Sequence, residues 1–267
     1  MVMKNFNFIV GIILLNFLCN CSPSASISDH TSSEILNVKH HIYKTVNFPA
    51  SDGLHVYADL YSSNNKRGPL IILYHQAGFS KGEFRSIAPR LVDLGFNVLA
   101  VDLRSGDMVN QVTNLTQKEA LKQGKSTAFQ DVIPDLEASF DYAKNKIKSR
   151  KIIYWGSSYS ASLGFYMAAK YPKDYKALIA YSPGDYFKIE NKNISEFAKD
   201  VKIPVYTSSA RNEESTWKPI YNSIKSKKQF YLPSKTKGHH GTIALSSFYD
   251  DSEENWQAII PFLKTLR

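Results

Sequence analysis

Apolar and polar positions along the chain predict strands that alternate with helices. Residues 41–48 and 54–61 alternate apolar and polar side chains in period two. A turn-forming Ser51-Asp52-Gly53 lies between them, so we expect an antiparallel hairpin. Later apolar runs are short and continuous, as in strands covered on both faces: 70–74, 98–101, 152–155 and 177–181. Further strands are predicted at 203–206 and 229–232, and helical patterns occupy 84–94, 132–143, 160–170, 217–224 and 256–266. This order predicts an α/β fold with a mostly parallel central sheet, an antiparallel N-terminal hairpin and helices on both faces.

The first twenty residues have the pattern of an export signal. Lys4 precedes an apolar run over residues 6–18, too short to span a bilayer comfortably, and a polar, Ser-rich stretch follows. Leu18-Cys19-Asn20-Cys21 resembles the lipobox of bacterial lipoproteins, which implies lipidation at Cys21. Asn20 departs from the usual small residue, and Cys19 is the weaker candidate.

These features predict a signal peptide at 1–20, a flexible tether at 21–39 and one folded domain at 40–267. The chain is then exported and held by a lipid anchor at a bacterial membrane, on its periplasmic or cell-surface face. Ordinary signal cleavage and an uncleaved anchor are the alternatives.

Composition narrows the classes of function. With 43% hydrophobic residues among 267, the chain can bury a large core. A net charge of +9 suits an acidic partner, but the lysines are scattered and no groove-reading motif accompanies them, so no nucleic-acid partner is predicted. Both cysteines lie within the first 21 residues, and no His/Asp cluster has the spacing of metal ligands. We predict neither a metal nor another cofactor.

The segment with the strongest chemical signal is Gly156-Ser157-Ser158-Tyr159-Ser160, between a buried strand and a helix of small residues. It fits the nucleophile elbow G-x-S-x-G, with Ser160 in place of the last glycine. A sharp strand-to-helix turn lifts the Ser158 hydroxyl out of the sheet and leaves the Tyr159 amide at the helix N-terminus, where it can hold an oxyanion. Ser157 is rejected as the nucleophile because Trp155 would then occupy the crowded position of the turn.

A second turn follows the strand at 70–74. His75-Gln76-Ala77-Gly78 resembles the H-G-x-G oxyanion loop of the α/β-hydrolases, with Gln76 replacing the first glycine. The resemblance implies Ala77 N–H as the second oxyanion donor, with Gln76 N–H as the alternative. His75 is expected to tie the loop down rather than to act in chemistry.

The base and the acid are expected after the last two strands. In Gly238-His239-His240-Gly241-Thr242, the His-Gly-Thr sequence resembles the catalytic-histidine loop of dienelactone-hydrolase-like and prolyl-oligopeptidase-like enzymes. This implies His240 as the base and leaves His239 as the alternative. Residues 210–213 overlay the G-x-x-D spacing of related enzymes, which implies Glu213 as the acid. Glu214 is the alternative, and both glutamates could instead be solvated loop carboxylates.

The order Ser158, Glu213, His240 is that of the α/β-hydrolase superfamily, and the whole pattern resembles its dienelactone-hydrolase-like and serine-aminopeptidase-like members. The resemblance implies a serine hydrolase of carboxylesterase type that cleaves an ester or related acyl bond through an acyl-enzyme. The short 181–203 segment leaves little room for a lid, and residues 104–128 are predicted to form a polar loop; a small acyl substrate is expected. The alternatives are a surface lipoprotein that uses the fold for binding only and a small peptidase or acyl-aminoacyl hydrolase.

Overall fold

The computed structural model describes residues 42–267. Its strands are β1 (Tyr43–Pro49), β2 (His55–Tyr61), β3 (Leu70–Tyr74), β4 (Asn97–Val101), β5 (Met108–Val109), β6 (Val112–Thr113), β7 (Ile152–Ser157), β8 (Tyr175–Tyr181), β9 (Val205–Ser208) and β10 (Lys228–Tyr231). Strands β5 and β6 form a small separate hairpin, and the other eight form one sheet in the order β1-β2-β4-β3-β7-β8-β9-β10. Strand β2 pairs antiparallel with β1 and β4, and every other pair in this sheet is parallel.

Within residues 42–267, seven α-helices surround the sheet: α1 (Ile87–Asp93), α2 (Leu115–Lys122), α3 (Ile133–Asn145), α4 (Tyr159–Lys170), α5 (Ile194–Ala198), α6 (Glu214–Ser223) and α7 (Ser252–Lys264). Helices α1 and α7 pack on one face, and α3, α4, α5 and α6 pack on the other. The expected fold class is therefore confirmed: a mostly parallel sheet with an antiparallel N-terminal hairpin and helices on both faces.

The continuous apolar runs are explained by the two cores. In β3, Leu70, Ile72 and Tyr74 enter one core, whereas Ile71 and Leu73 enter the other. Because successive side chains of a strand point to opposite faces, a strand covered on both sides needs an apolar residue at every position. All five residues of β3 are buried.

The segment at 104–128 differs from the predicted loop, since it contains the β5–β6 hairpin and α2. The Asn114 side chain accepts a hydrogen bond from Gln117 N at 2.8 Å and caps the helix. Only Thr116 and Ala120 of α2 are buried, so the helix lacks the apolar stripe by which sequence periodicity reveals a helix. A hydrogen bond of 2.9 Å from Tyr57 N to Thr116 Oγ1 ties α2 to the sheet.

The predicted signal peptide, Cys21 and the tether lie outside the described residues. Within residues 42–267, none of the helices is both long enough and apolar enough to cross a membrane.

Candidate active site

The carboxyl ends of the parallel strands bring the predicted site residues to one edge of the sheet. Ser158 follows β7, Glu213 follows β9 and His240 follows β10, while Ala77 follows β3. Open α/β sheets bind ligands at this edge, because the loops that leave parallel strands converge there.

Ser158 occupies a strained turn between β7 and α4. Its backbone has φ 60° and ψ −122°, a conformation that costs an ordinary L-residue energy and that surrounding contacts must maintain. Ser158 N donates to Tyr181 O at 2.8 Å, which ties the turn to the end of β8. A Cβ added to Gly156 would lie 2.5 Å from Ala161 N, so the turn requires glycine there.

Ser160 fills the place of the last glycine without a clash. Its hydroxyl accepts from Ser157 N at 2.9 Å and donates to Tyr74 O at 2.8 Å, which joins the elbow to the end of β3. Ser157 points into the interior and is fully buried, with its hydroxyl donating to Glu83 Oε1 at 2.8 Å. The buried hydroxyl agrees with the choice of Ser158, which retains 9% exposure.

The loop after β3 holds one peptide group in a fixed orientation. Buried His75 accepts from Leu103 N at 2.9 Å through Nε2, so its Nδ1 carries the proton and donates to Gln76 O at 2.8 Å. Burial lowers the pKa of His75, which suits this neutral, structural ring. Gln76 N donates to Glu83 Oε2 at 2.9 Å, so this amide is already engaged. Among the described residues, Ala77 N has no protein acceptor.

Tyr159 N begins helix α4 and likewise has no acceptor among the described residues. The N-terminus of this twelve-residue helix carries partial positive charge, which favours an anion beside it. The Tyr159 side chain is fixed at a distance from the amide: its hydroxyl donates to Ser105 O at 3.1 Å, and its ring stacks on Phe129 at 4.6 Å.

His240 and Glu213 form a close pair. His240 Nδ1 lies 2.5 Å from Glu213 Oε1, and Ser182 Oγ donates to Glu213 Oε2 at 2.6 Å. Burial raises the pKa of Glu213, but the hydrogen bonds from His240 and Ser182 outweigh it, and the net shift is downward. Ser182 Oγ also accepts from Gly241 N at 2.8 Å, so one hydroxyl connects the acid to the histidine loop.

The alternative base and acid have other partners. His239 Nε2 lies 3.1 Å from Asp251 Oδ1, and its ring stacks on Tyr249 at a centroid distance of 3.7 Å. Glu214 accepts from Lys218 Nζ at 2.8 Å, one helical turn along α6. Neither His239 nor Glu214 takes part in the hydrogen bond between His240 and Glu213.

Ser158 Oγ and the His240 ring are not hydrogen-bonded to each other in the described part of the chain. Burial and the negative charge of Glu213 raise the pKa of Tyr186, and hydrogen bonding with the Ser158 side chain partly opposes this rise. Tyr186 Oη donates to Ser182 O at 2.9 Å. Catalytic hydrogen bonds are often long or misaligned before substrate binds, so this geometry is compatible with a pair that closes on the substrate.

Residues 42–267 contain no group of three or more His, Cys, Asp or Glu side chains placed to bind a metal ion. Two residues that sequence reasoning missed join the site. Ser182 and Glu83 carry no motif, since each acts through contacts between loops distant in sequence. A signal for Ser182 existed only in its position directly after a predicted strand.

The sheet order, the helices on both faces and the elbow after β7 define an α/β-hydrolase. Residues 56–242 match the model of the dienelactone hydrolase family, and the chain belongs to this family of hydrolases. A comparison with curated proteins finds no significant match.

Solved structures with the same fold include a dienelactone hydrolase from Anabaena variabilis, with 15% identity, a TM-score of 0.66 and coverage of 85% of this chain and 99% of that one. An esterase from Pyrococcus furiosus has 19% identity, a TM-score of 0.66 and coverage of 85% and 93%. A thermostable carboxyl esterase from Bacillus coagulans has 14% identity, a TM-score of 0.62 and coverage of 84% and 98%. The likeness to these structures concerns the fold.

Proposed function

We propose that the protein is a serine hydrolase that cleaves an ester or related acyl bond through an acyl-enzyme on Ser158. The observation that carries the proposal is the His240–Glu213 pair, at 2.5 Å, on loops at the same sheet edge as the strained Ser158 turn. The amides of Ala77 and Tyr159, which have no acceptor within residues 42–267, add support, since acyl transfer develops negative charge on the carbonyl oxygen.

In the proposed reaction, Ser158 Oγ attacks the acyl carbonyl carbon while its proton passes to His240 Nε2. Glu213 holds Nδ1 and favours the imidazolium. The carbonyl oxygen becomes an oxyanion that the Ala77 and Tyr159 amides stabilise, each contributing about 2.7–4 kcal/mol to lowering the barrier. The leaving alcohol takes the proton from Nε2, and a water molecule activated by the same nitrogen then releases the acid and regenerates Ser158. A rotation of the Ser158 hydroxyl toward His240 precedes the attack.

The proposed substrate has a small acyl group. The chain between β8 and β9 contains only the five-residue helix α5, and His240 keeps 39% of its side chain exposed, as expected of an open site. Turnover of p-nitrophenyl esters from acetate to palmitate tests this preference, which predicts the highest kcat/KM for the short chains.

The triad is tested with Ser158→Ala and His240→Ala in the same assay. Both variants should lose turnover by about a thousandfold or more while keeping the wild-type circular dichroism spectrum. Ser226→Ala is the matched control, because Ser226 donates to Ile203 O just before β10, at the opposite sheet edge. Activity retained in Ser158→Ala would refute the proposal. Hydrolysis of aminoacyl p-nitroanilides in preference to esters would favour the peptidase, and failure of the wild type on both would favour a binding protein.

We also propose that Cys21 carries a lipid anchor that holds the exported domain at a bacterial membrane. Support comes from the sequence: Lys4, the apolar run at 6–18 and the lipobox-like residues before Cys21. Radiolabelled palmitate should be incorporated by the wild type and not by Cys21→Ser.

A further inference from the structure

Glu83 is a buried carboxylate outside the proposed triad. It lies in a short 3₁₀ helix, Lys81–Phe84, and is 1% exposed. Both of its oxygens accept hydrogen bonds from the loops that form the site: Oε2 from Gln76 N at 2.9 Å and Oε1 from Ser157 Oγ at 2.8 Å. Burying a carboxylate is costly, so these paired contacts call for a role beyond packing.

On one side, Glu83 fixes the oxyanion loop. Its oxygen holds Gln76 N, while His75 Nδ1 holds Gln76 O at 2.8 Å. The N–H of Ala77 belongs to the same planar peptide as Gln76 O and points the opposite way, because the bond is trans. Glu83 and His75 therefore set the direction of the Ala77 donor from two sides.

On the other side, Glu83 reaches the elbow and the histidine loop through one hydroxyl. Ser157 Oγ donates to Glu83 and accepts from Thr242 N at 2.9 Å, two residues after His240. Gly241 packs so closely that an added Cβ would lie 2.5 Å from Ser157 Oγ. The nucleophile turn, the oxyanion loop and the base loop thus meet at a single carboxylate.

We propose that ionised Glu83 is a positioning residue that holds the oxyanion loop, the nucleophile elbow and the histidine loop in their reactive arrangement. This inference rests on the proposed serine hydrolase. The ionised form is required because both Glu83 oxygens accept from a donor, whereas a protonated carboxyl would have to donate from one of them. Its negative charge also favours the imidazolium that His240 becomes during the reaction.

Electrostatics supports a functional titration. Burial raises the pKa of Glu83 to about 7, against the hydrogen bonds from Gln76 and Ser157 and the charge of His240. The other titratable groups around its helix include neutral His75 after β3 and Tyr159 at the start of α4. Two ion pairs also lie there: Lys81 Nζ is 2.6 Å from Asp102 Oδ2, and Arg85, at the helix C-terminus, is 2.9 Å from Asp59 Oδ2. The positioning carboxylate therefore gains a proton near neutral pH.

The experiment compares the pH dependence of ester turnover from pH 5.5 to 8 in the wild type, Glu83→Gln and Glu137→Gln. In the wild type, log kcat/KM should fall toward acid with a slope clearly greater than one just below pH 7, because protonation of Glu83 adds to the loss of the catalytic base. Glu83→Gln should lower kcat about 10- to 100-fold, with KM changed less than about threefold and an acid slope near one. Glu137→Gln is the control, since Glu137 pairs with Lys170 at the protein surface and should leave both quantities unchanged.

A wild-type slope near one, or Glu83→Gln with wild-type kcat and profile, would overturn the proposal. The wild-type slope is informative even if Glu83→Gln does not fold. Ser157→Ala gives a second variant: it removes the link to Thr242 but keeps Gln76 N on Glu83, so it should reduce kcat and preserve the slope above one. A wild type without any hydrolase turnover would instead remove the proposed function, a result distinct from an active enzyme that is indifferent to Glu83.

Discussion

Replacing Ser182 with Ala tests how the proposed acid and base are held together. The Ser182 hydroxyl donates to Glu213 Oε2 at 2.6 Å and accepts from Gly241 N at 2.8 Å. Ser182 has a φ of 52°, but alanine also has a Cβ, so the substitution leaves the backbone cost unchanged and removes only the two contacts. No motif pointed to this residue, so its effect tests the structure rather than the sequence pattern.

The magnitude follows from these contacts. Gly241 is buried, and an amide left without an acceptor costs about 1–3 kcal/mol. Loss of a hydrogen bond to the charged Glu213 costs a further 1.5–3 kcal/mol or so, reduced here because the Glu213 side chain is 21% exposed and water can replace the donor. We expect a loss of about 2–4 kcal/mol in stability. Some of this energy, about 1.4–2.7 kcal/mol, is lost from the transition state, in which His240 becomes an imidazolium held by Glu213. This loss corresponds to a 10- to 100-fold fall in kcat.

Purified Ser182→Ala and the Ser226→Ala control would be compared by p-nitrophenyl acetate turnover and urea unfolding. The account predicts that Ser182→Ala loses both activity and stability, whereas Ser226→Ala, at the opposite edge of the sheet, loses stability alone. Equal kcat in the wild type and Ser182→Ala would show that the Ser182 contacts do not orient the proposed acid.

Three further predictions concern other parts of the chain. Gly241→Ala should lower kcat/KM more than about a hundredfold, because the φ of Gly241 is +76° and an added Cβ would lie 2.5 Å from Ser157 Oγ. Burial raises the pKa of Glu83 from 4.5 to about 7, so the stabilising contribution of protonated Glu83 is full below pH 4.5 and is lost as pH rises through 7. Between pH 4.5 and 8.5, the unfolding free energy of the wild type should therefore fall by about 3 kcal/mol more than that of Glu83→Gln. Cys21→Ser should move the protein from the membrane to the soluble fraction of an expressing bacterium.

Each of these predictions has a matched comparison. Gly124→Ala carries a similar backbone cost at φ +64° without a close contact for the added Cβ, so equal losses in both glycine variants would contradict the collision argument. If the unfolding free energies of the wild type and Glu83→Gln change equally with pH, the raised pKa of Glu83 is contradicted. If membrane association is unchanged in Cys21→Ser but lost in Cys19→Ser, the lipidated residue is Cys19 and not Cys21.

The eight strands of the main sheet and most helices were predictable because that sheet is covered on both faces, whereas the small β5–β6 hairpin was not predicted. Continuous apolar runs such as residues 70–74 identify β3 without any knowledge of its partners. Helix α2 was missed because it buries only Thr116 and Ala120 and presents mostly polar residues. Its stability depends on the Asn114 cap and on a contact with Tyr57, which lies far away in sequence.

The candidate site was predictable where a residue belongs to a motif with a required backbone shape. Ser158 needs the sharp turn permitted by Gly156, and that turn is visible in the sequence. The choice between Glu213 and Glu214 was not visible in the sequence, because a loop longer or shorter by one residue changes which carboxylate reaches His240. Glu83 escaped notice because its partners, Gln76 and Ser157, meet only when three loops assemble.

The most direct test of the account is covalent labelling of the full chain with a fluorophosphonate, followed by peptide mass spectrometry. The account predicts one adduct on Ser158, a labelling rate that declines toward acid pH, and labelling slowed at least about a hundredfold in His240→Ala. The absence of an adduct, an adduct on Ser157 instead, or equal labelling rates in the wild type and His240→Ala would contradict the claim that His240 activates Ser158.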